Sequence, residues 1–305
     1  PAHRLYRRGG REALRPRAVT AALLAVFLFA APTGAAASRA DQNELARIAQ
    51  QGYRPAETAE AALAAGVLRA TVFKKEGGQR LYVTLDNGTA VKTLHMELGG
   101  AQAIELDSVH DGGKLPDLAG DSSRVIAFRL TAPALGQESL VVLRWAGGKL
   151  DKTARLPGGR FTDVDGDGRL EVVTRERPLG PLFTISCSSF HTMAQAAWRS
   201  DVYEWRQGRL DKASERHKAF FDRRIADTKR QAAAVDARAT DDYGGFLGLT
   251  LSVYFDYAAS GRAREGWTEF RKLYPVRASD PGPVKKCLQQ METELKGRLG
   301  IPDGW

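Results

Sequence analysis

The chain has 305 residues, 43% of them hydrophobic and 27% charged, which excludes a disordered or low-complexity protein and leaves room for about two domains. Its 45 basic and 36 acidic residues give a formal charge of +9, but six arginines and one glutamate of that set lie in the first 37 residues. Without them the net charge is near +4, too mild to predict a nucleic-acid partner in a chain with no recognised nucleic-acid module.

Residues 1–37 read as a secretory signal. Arg4, Arg7, Arg8, Arg11, Arg15 and Arg17 precede an apolar run from Ala18 to Ala31. A membrane-crossing helix needs roughly 17 to 25 apolar residues, and Pro32 and Gly34 end this run before that length. Ala35, Ala36 and Ala37 supply small residues for cleavage before Ser38. The expectation is export to the periplasm or beyond, with no membrane span in the mature chain; the alternative is an uncleaved anchor.

Residues 38–66 are expected to form an N-terminal helical segment. Asp41 is placed to cap a helix running to about Gln51, with Leu45 and Ile48 on one side. Pro55, the Ala- and Glu-rich stretch Thr58 to Ala65, and Gly66 as a stop predict a second, short helix.

From residue 67 to 213 the pattern is that of strands. Val67 to Val72 and Leu81 to Leu85 flank Gly77 and Gly78 as a hairpin. Asn87-Gly88 predicts a second hairpin to Thr89–Met96 through a turn with φ > 0 at both central residues. Ala103 to Val109, Arg124 to Thr131, Ser139 to Trp145, Leu170 to Thr174, Leu182 to Ser186 and Asp201 to Trp205 are further strands. Met193 to Trp198 is ambiguous.

Residues 214–305 are expected to form a helical C-terminal domain. Ser214 is placed to cap a helix to about Val235, followed by helices over Tyr243 to Ala259, Arg262 to Leu273 and Val284 to Leu299. Phe220, Phe221 and Ile225 form the apolar stripe of the first, and Phe246, Leu249, Val253 and Tyr257 that of the second. The fold class is therefore α+β, an antiparallel β-rich domain followed by an α-helical one.

Two stretches 60 residues apart match. Val142, Trp145, Gly148, Leu150, Asp151 and Lys152 recur as Val202, Trp205, Gly208, Leu210, Asp211 and Lys212, each set reading as a strand, a glycine turn and a return strand. Between them lies Asp163-Val-Asp-Gly-Asp-Gly-Arg-Leu-Glu171. Calcium takes six to eight oxygens at roughly 2.3 to 2.6 Å, so it needs several carboxylates on a tightly wound backbone. Asp163, Asp165 and Asp167 recur at every second place, Arg169 can offer its carbonyl, and Glu171 can close the shell. Without a cation these acids repel one another. The same composition also serves an ordinary polar turn.

These residues resemble the secreted proteins with FG-GAP or VCBS-type repeats, whose calcium loops are similar to those of integrin α-subunit propellers. The likeness covers roughly residues 139–214, about a quarter of the chain. It implies a propeller-like or VCBS-like sheet and a structural Ca²⁺ held by Asp163, Asp165, Asp167, Arg169 and Glu171. Only one complete acidic loop is present, and Val67 to Lys212 is too short for several blades of about four strands, so a partial or divergent sheet is expected.

No familiar catalytic signature accompanies the loop. The five histidines form no zinc-protease pair, and there is no Gly-x-Ser-x-Gly elbow or phosphate-binding glycine loop. Cys187 and His191, four apart, could share a metal only on a helix. Cys187 and Cys287 can pair in an oxidising compartment, or be buried separately. Lys and Arg residues from 216 to 230 interleave with Asp222 and Asp227, which favours a salt-bridged face. The reading is a non-catalytic envelope module that binds a protein or polysaccharide. Its competitor is a secreted hydrolase whose carboxylates leave no local motif.

Overall fold

The computed structural model describes residues 39–100, 102–132, 137–180, 184–187, 190–193, 197–235, 243–274 and 278–305, with side chains at 184–187, 190–193 and 243–245 outside the description. Residues 1–37, expected as a secretory signal, lie outside the described residues. Ala37–Trp305 forms one unit. It is built from three successive four-stranded antiparallel sheets and a set of C-terminal helices.

The first sheet runs β1 (Arg54–Leu63), β2 (Gly66–Lys75), β3 (Gly78–Asp86) and β4 (Val91–Leu98), each strand paired to the next. The second runs β5 (Ala103–Leu106), β6 (Arg124–Ala132), β7 (Gln137–Ala146) and β8 (Lys149–Pro157) in the same way. The third comprises β9 (Arg160–Thr162), β10 (Glu171–Val173), β13 (Val202–Arg206) and β14 (Arg209–Lys212), in the order 14-13-10-9. A hairpin of β11 (Thr184–Cys187) and β12 (Phe190–Met193) is inserted between β10 and β13.

The second sheet is apolar on both faces because both are covered. Ile126, Phe128, Val141, Leu143 and Trp145 meet Leu68, Val72, Leu81 and Val83 of the first sheet. Val125, Ala127, Leu140 and Val142 meet Val172, Phe161, Tyr203 and Trp205 of the third. Two-sided burial gives β6 and β7 the near-continuous hydrophobic runs usual for central strands.

The helical expectation for 55–65 is overturned: those residues are β1. Ala59, Ala61 and Leu63 face the first core at period two, and the strand pairs with β2 from Arg54↔Lys74 to Leu63↔Gly66. Ala and Glu favour a helix only weakly, and a helix here would leave the edge of β2 unpaired. Gly66 starts β2 rather than stopping a helix. Its φ is +130°, and a Cβ would lie 2.1 Å from the Asp86 carbonyl oxygen. Helix α1 (Arg39–Gln50) is present, but Asp41 sits in its first turn and forms an ion pair with Arg69 instead of capping it.

The Asn87-Gly88 hairpin forms, through a different turn. Only Gly88 has positive φ, while Asn87 Oδ1 accepts from the Thr89 and Ala90 amides. The two matching hairpins share one register: Trp145↔Leu150 with Arg144↔Asp151, and Trp205↔Leu210 with Glu204↔Asp211. Both turns have two positive-φ residues, Gly147-Gly148 and Gln207-Gly208. β9 and β12, three and four residues long, carry too little pattern to be read from sequence.

Helices α2 (Lys218–Ala233), α3 (Tyr243–Ala259), α4 (Ala263–Leu273) and α5 (Gly282–Leu299) follow. Ser214 is not the α2 cap; its buried Oγ accepts from Val202 N and donates to Asp201 Oδ1, tying the helices to β13. α3 is enclosed all round from Leu251 to Tyr257 rather than on one stripe, because α2, α4, α5 and the β11–β12 hairpin surround it. The helical reading of Cys187 and His191 fails: both lie in a β-hairpin, Cys187 opposite Phe190 and His191 opposite Ser186. Cys287 is buried in α5 and disulfide-bonded, while the Cys187 side chain lies outside the described residues. Among the described residues no helix is long and apolar enough to cross a membrane.

Candidate metal centre

The acidic loop is the connection of the β9–β10 hairpin, which pairs Thr162 with Glu171 and Arg160 with Val173. Asp163 organises it. Its Oδ1 accepts from Gly166 N at 2.7 Å and its Oδ2 from Gly168 N at 3.0 Å. Both glycines have φ of +83°, a conformation costly for other residues, so the chain can curl back on the Asp163 carboxylate. Val164 is buried against Val202, Phe221 and Ala259 and pins the loop to the helices. Its carbonyl accepts from Arg223 Nη2 at 2.9 Å.

Carboxylate oxygens of Asp163, Asp165 and Glu171 lie within 4.8 Å of one another, close enough to share one metal ion. Glu171, at the first residue of β10, is only 6% exposed. Its Oε2 accepts from Val164 N at 3.1 Å. Burial raises its pKa, the Val164 amide opposes this, and the charges of Asp165 and Asp167 add to the rise. A divalent cation would remove that cost, and an all-oxygen donor set suits a hard ion.

Of the four carboxylates expected as ligands, three form this group and Asp167 is not among them. Asp167 is exposed and accepts from Arg169 N at 2.8 Å. Arg169 contributes that amide. His217 and Glu204 were not legible as neighbours: His217 Nδ1 is 3.9 Å from Asp165 and its Nε2 2.8 Å from Glu204. They lie on β13 and just before α2, remote in sequence, so no local spacing could reveal them. A cleft of about 540 Å³ opens beside the loop, lined by Asp117, Gly120, Glu204, Trp205 and Arg216.

Other polar features have structural roles. His110 is buried, accepting at Nε2 from Ala127 N at 2.8 Å, with Nδ1 3.2 Å from the Lys114 carbonyl; burial lowers its pKa, so it is a neutral core histidine. The basic run of α2 is salt-bridged: Arg224 to Asp256, Lys229 to Glu269 and Arg230 to Asp227. Comparison of the chain with protein-family models, curated proteins and solved structures finds no match.

Proposed function

We propose that this is an exported, non-catalytic binding or scaffolding protein of the cell envelope whose β9–β10 loop holds a structural calcium ion. The observation that carries the reading is the convergence of Asp163, Asp165 and Glu171 on one point of a tight hairpin. Calcium fits this set better than zinc, which favours nitrogen and sulfur ligands, and the flexible shell of calcium can be completed by loop carbonyls and water. The ion would act as a staple: β9 and β10 pair over three residues, and their connection carries the charge that the ion neutralises.

Support for export comes from the basic leader, apolar run and small residues of 1–37. The cleft beside the acidic loop is rich in carboxylates, Asp117 and Glu204 among them, but these adjoin the proposed ion site. Against the hydrolase reading, away from the loop the cleft among the helices is lined by one carboxylate, Glu292, and that beside β9 by one, Glu138. Neither offers the carboxylate pair on which a glycosidase-type mechanism depends. The partner is then an envelope protein or polysaccharide, recognised without chemistry.

Thermal melts in calcium, magnesium and chelator, for the wild type and Asp165→Ala, test the reading. An ion that binds only the folded form adds about 2.7 kcal/mol at a hundredfold excess over Kd. The calcium increment is expected in the wild type and absent from the variant. Superimposable wild-type melts in saturating calcium and in chelator would sink the calcium assignment.

A further inference from the structure

A second site lies on the same face of the third sheet, beyond its apolar middle. The β10–β13 ladder pairs Val173 with Val202 and continues as the bridge Glu176↔Arg199. That register sets Arg175 opposite Ser200 and Arg177 opposite Trp198, all on the face that carries Val173. Arg160, paired with Val173 from the other side, joins them, and Arg224 reaches in from α2. Arg160, Arg175, Trp198, Ser200 and Arg224, together with Thr174, Gly158 and Phe220, line an open cleft of about 600 Å³.

The cleft holds more cationic charge than the carboxylates among the described residues answer. Among the described residues no carboxylate forms an ion pair with Arg160, Arg175 or Arg177. Partial burial, and then the charges of Arg224, Arg177 and Arg160, lower the pKa of Arg175, the direction expected for cations facing one another. Arg175 and Arg177 instead stack on Trp198, their guanidinium carbons 4.0 and 4.6 Å from the ring centroid. Arg224 uses Nε on the buried Asp256, at 3.3 and 3.2 Å to its two oxygens. The one carboxylate lining the cleft, Glu138, is engaged by Arg129.

A separate observation points the same way. Ser200 is only 1% exposed, lines the cleft, and its buried Oγ has no hydrogen-bond partner. A buried hydroxyl is normally satisfied, so an orphan beside unpaired arginines marks the place of an absent acceptor. Gly158 lets the chain close the cleft: with φ of +50°, its Cβ position falls 2.7 Å from the Arg175 carbonyl oxygen, where no side chain fits.

We propose that this cleft binds the phosphate group of a small molecule. Arg224 is neutralised by Asp256, so Arg160 and Arg175 present two uncompensated charges, which a phosphate dianion balances and a monocarboxylate does not. A tetrahedral group also offers enough acceptor oxygens to serve both guanidinium forks and the Ser200 hydroxyl together. The space exceeds one phosphate and leaves room, against Phe220 and Trp198, for an organic remainder.

The test is calorimetric titration of the full chain with inorganic phosphate at low ionic strength, in chelator so that the Asp163–Glu171 loop takes no part. One phosphate site is expected, weakened about tenfold in Arg175→Ala and several-fold in Ser200→Ala, with Arg155→Ala on the outer strand β8 unaffected. Arg160→Ala, at the exposed rim, gives the same loss should the Arg175 variant not fold. No phosphate binding, equal binding of acetate, or equal weakening by Arg155→Ala overturns the proposal. Because chelator is present throughout, that result is independent of the calcium reading.

Discussion

Glu171 and Arg175 stand four residues apart on one face of a single extended segment, so the acidic loop and the arginine cleft mark opposite ends of the same sheet face. At about 3.4 Å per residue their backbones are roughly 13 to 14 Å apart. Val173 and Val202 fill the interval and pack on α2 and α3. One short strand line therefore carries two charge clusters of opposite sign, separated by an apolar strip that keeps each from neutralising the other.

Glu171→Gln should separate the cost of the acidic loop from its use. Glutamine retains an oxygen for the Val164 amide and removes the charge that burial disfavours. The variant is expected to melt higher than the wild type in chelator and to gain nothing from calcium. A variant that still responds fully to calcium would remove Glu171 from the ligand set.

Asp256 predicts a pH dependence. Fully buried on α3, its carboxyl is pushed up to about 6 by burial, with Arg224 only partly opposing this. Since the folded form holds its proton more tightly than the unfolded chain, the contribution is fully present below about pH 4 and lost as pH rises through 6. The loss is roughly 3 kcal/mol, so Asp256→Asn should gain on the wild type by about that amount between pH 4 and pH 7. Denaturant midpoints across that window check it; a constant difference would count against the burial argument.

Gly66→Ala and Gly52→Ala should differ, although both glycines have positive φ. At Gly52 nothing lies within 4 Å of the added Cβ, so only the backbone conformation is penalised, by about 1 kcal/mol. At Gly66 the Cβ meets the Asp86 carbonyl at 2.1 Å, so the β1–β2 turn must shift as well, and a loss of about 3 kcal/mol or more is expected. Urea titration of the two variants makes the comparison; equal losses would mean that the turn yields freely.

Thiol counting addresses the cysteines. Denatured, unreduced protein should show no titratable thiol if Cys187 pairs with Cys287, and two thiols would exclude that bridge. Reduction of a bridge closing so long a loop is expected to lower stability by up to roughly 4 to 5 kcal/mol.

Local pattern sufficed wherever one neighbour decided the structure. The strands β2, β3, β6 and β7, the helices α3 to α5 and the hairpin carrying Trp205 were legible because alternation, turn glycines and prolines act over a few residues. The acidic loop was legible for the same reason, its carboxylates lying within nine residues of chain. What misled was propensity without context: the Ala-Glu stretch of β1 became a strand because β2 offered hydrogen bonds that a helix would have wasted.

The sequence by itself determined the α+β division, most of the hairpins and the crowding of carboxylates between Asp163 and Glu171, since each follows from interactions a few residues apart. Only the tertiary structure decided that β6 and β7 lie between two other sheets, that Asp163, Asp165 and Glu171 come together without Asp167, and that Arg160, Arg175 and Arg224 line one cleft with Ser200. Those outcomes depend on strand register and on a helix arriving from another part of the chain, and the burial that drives them is non-directional, so no short stretch of chain encodes it.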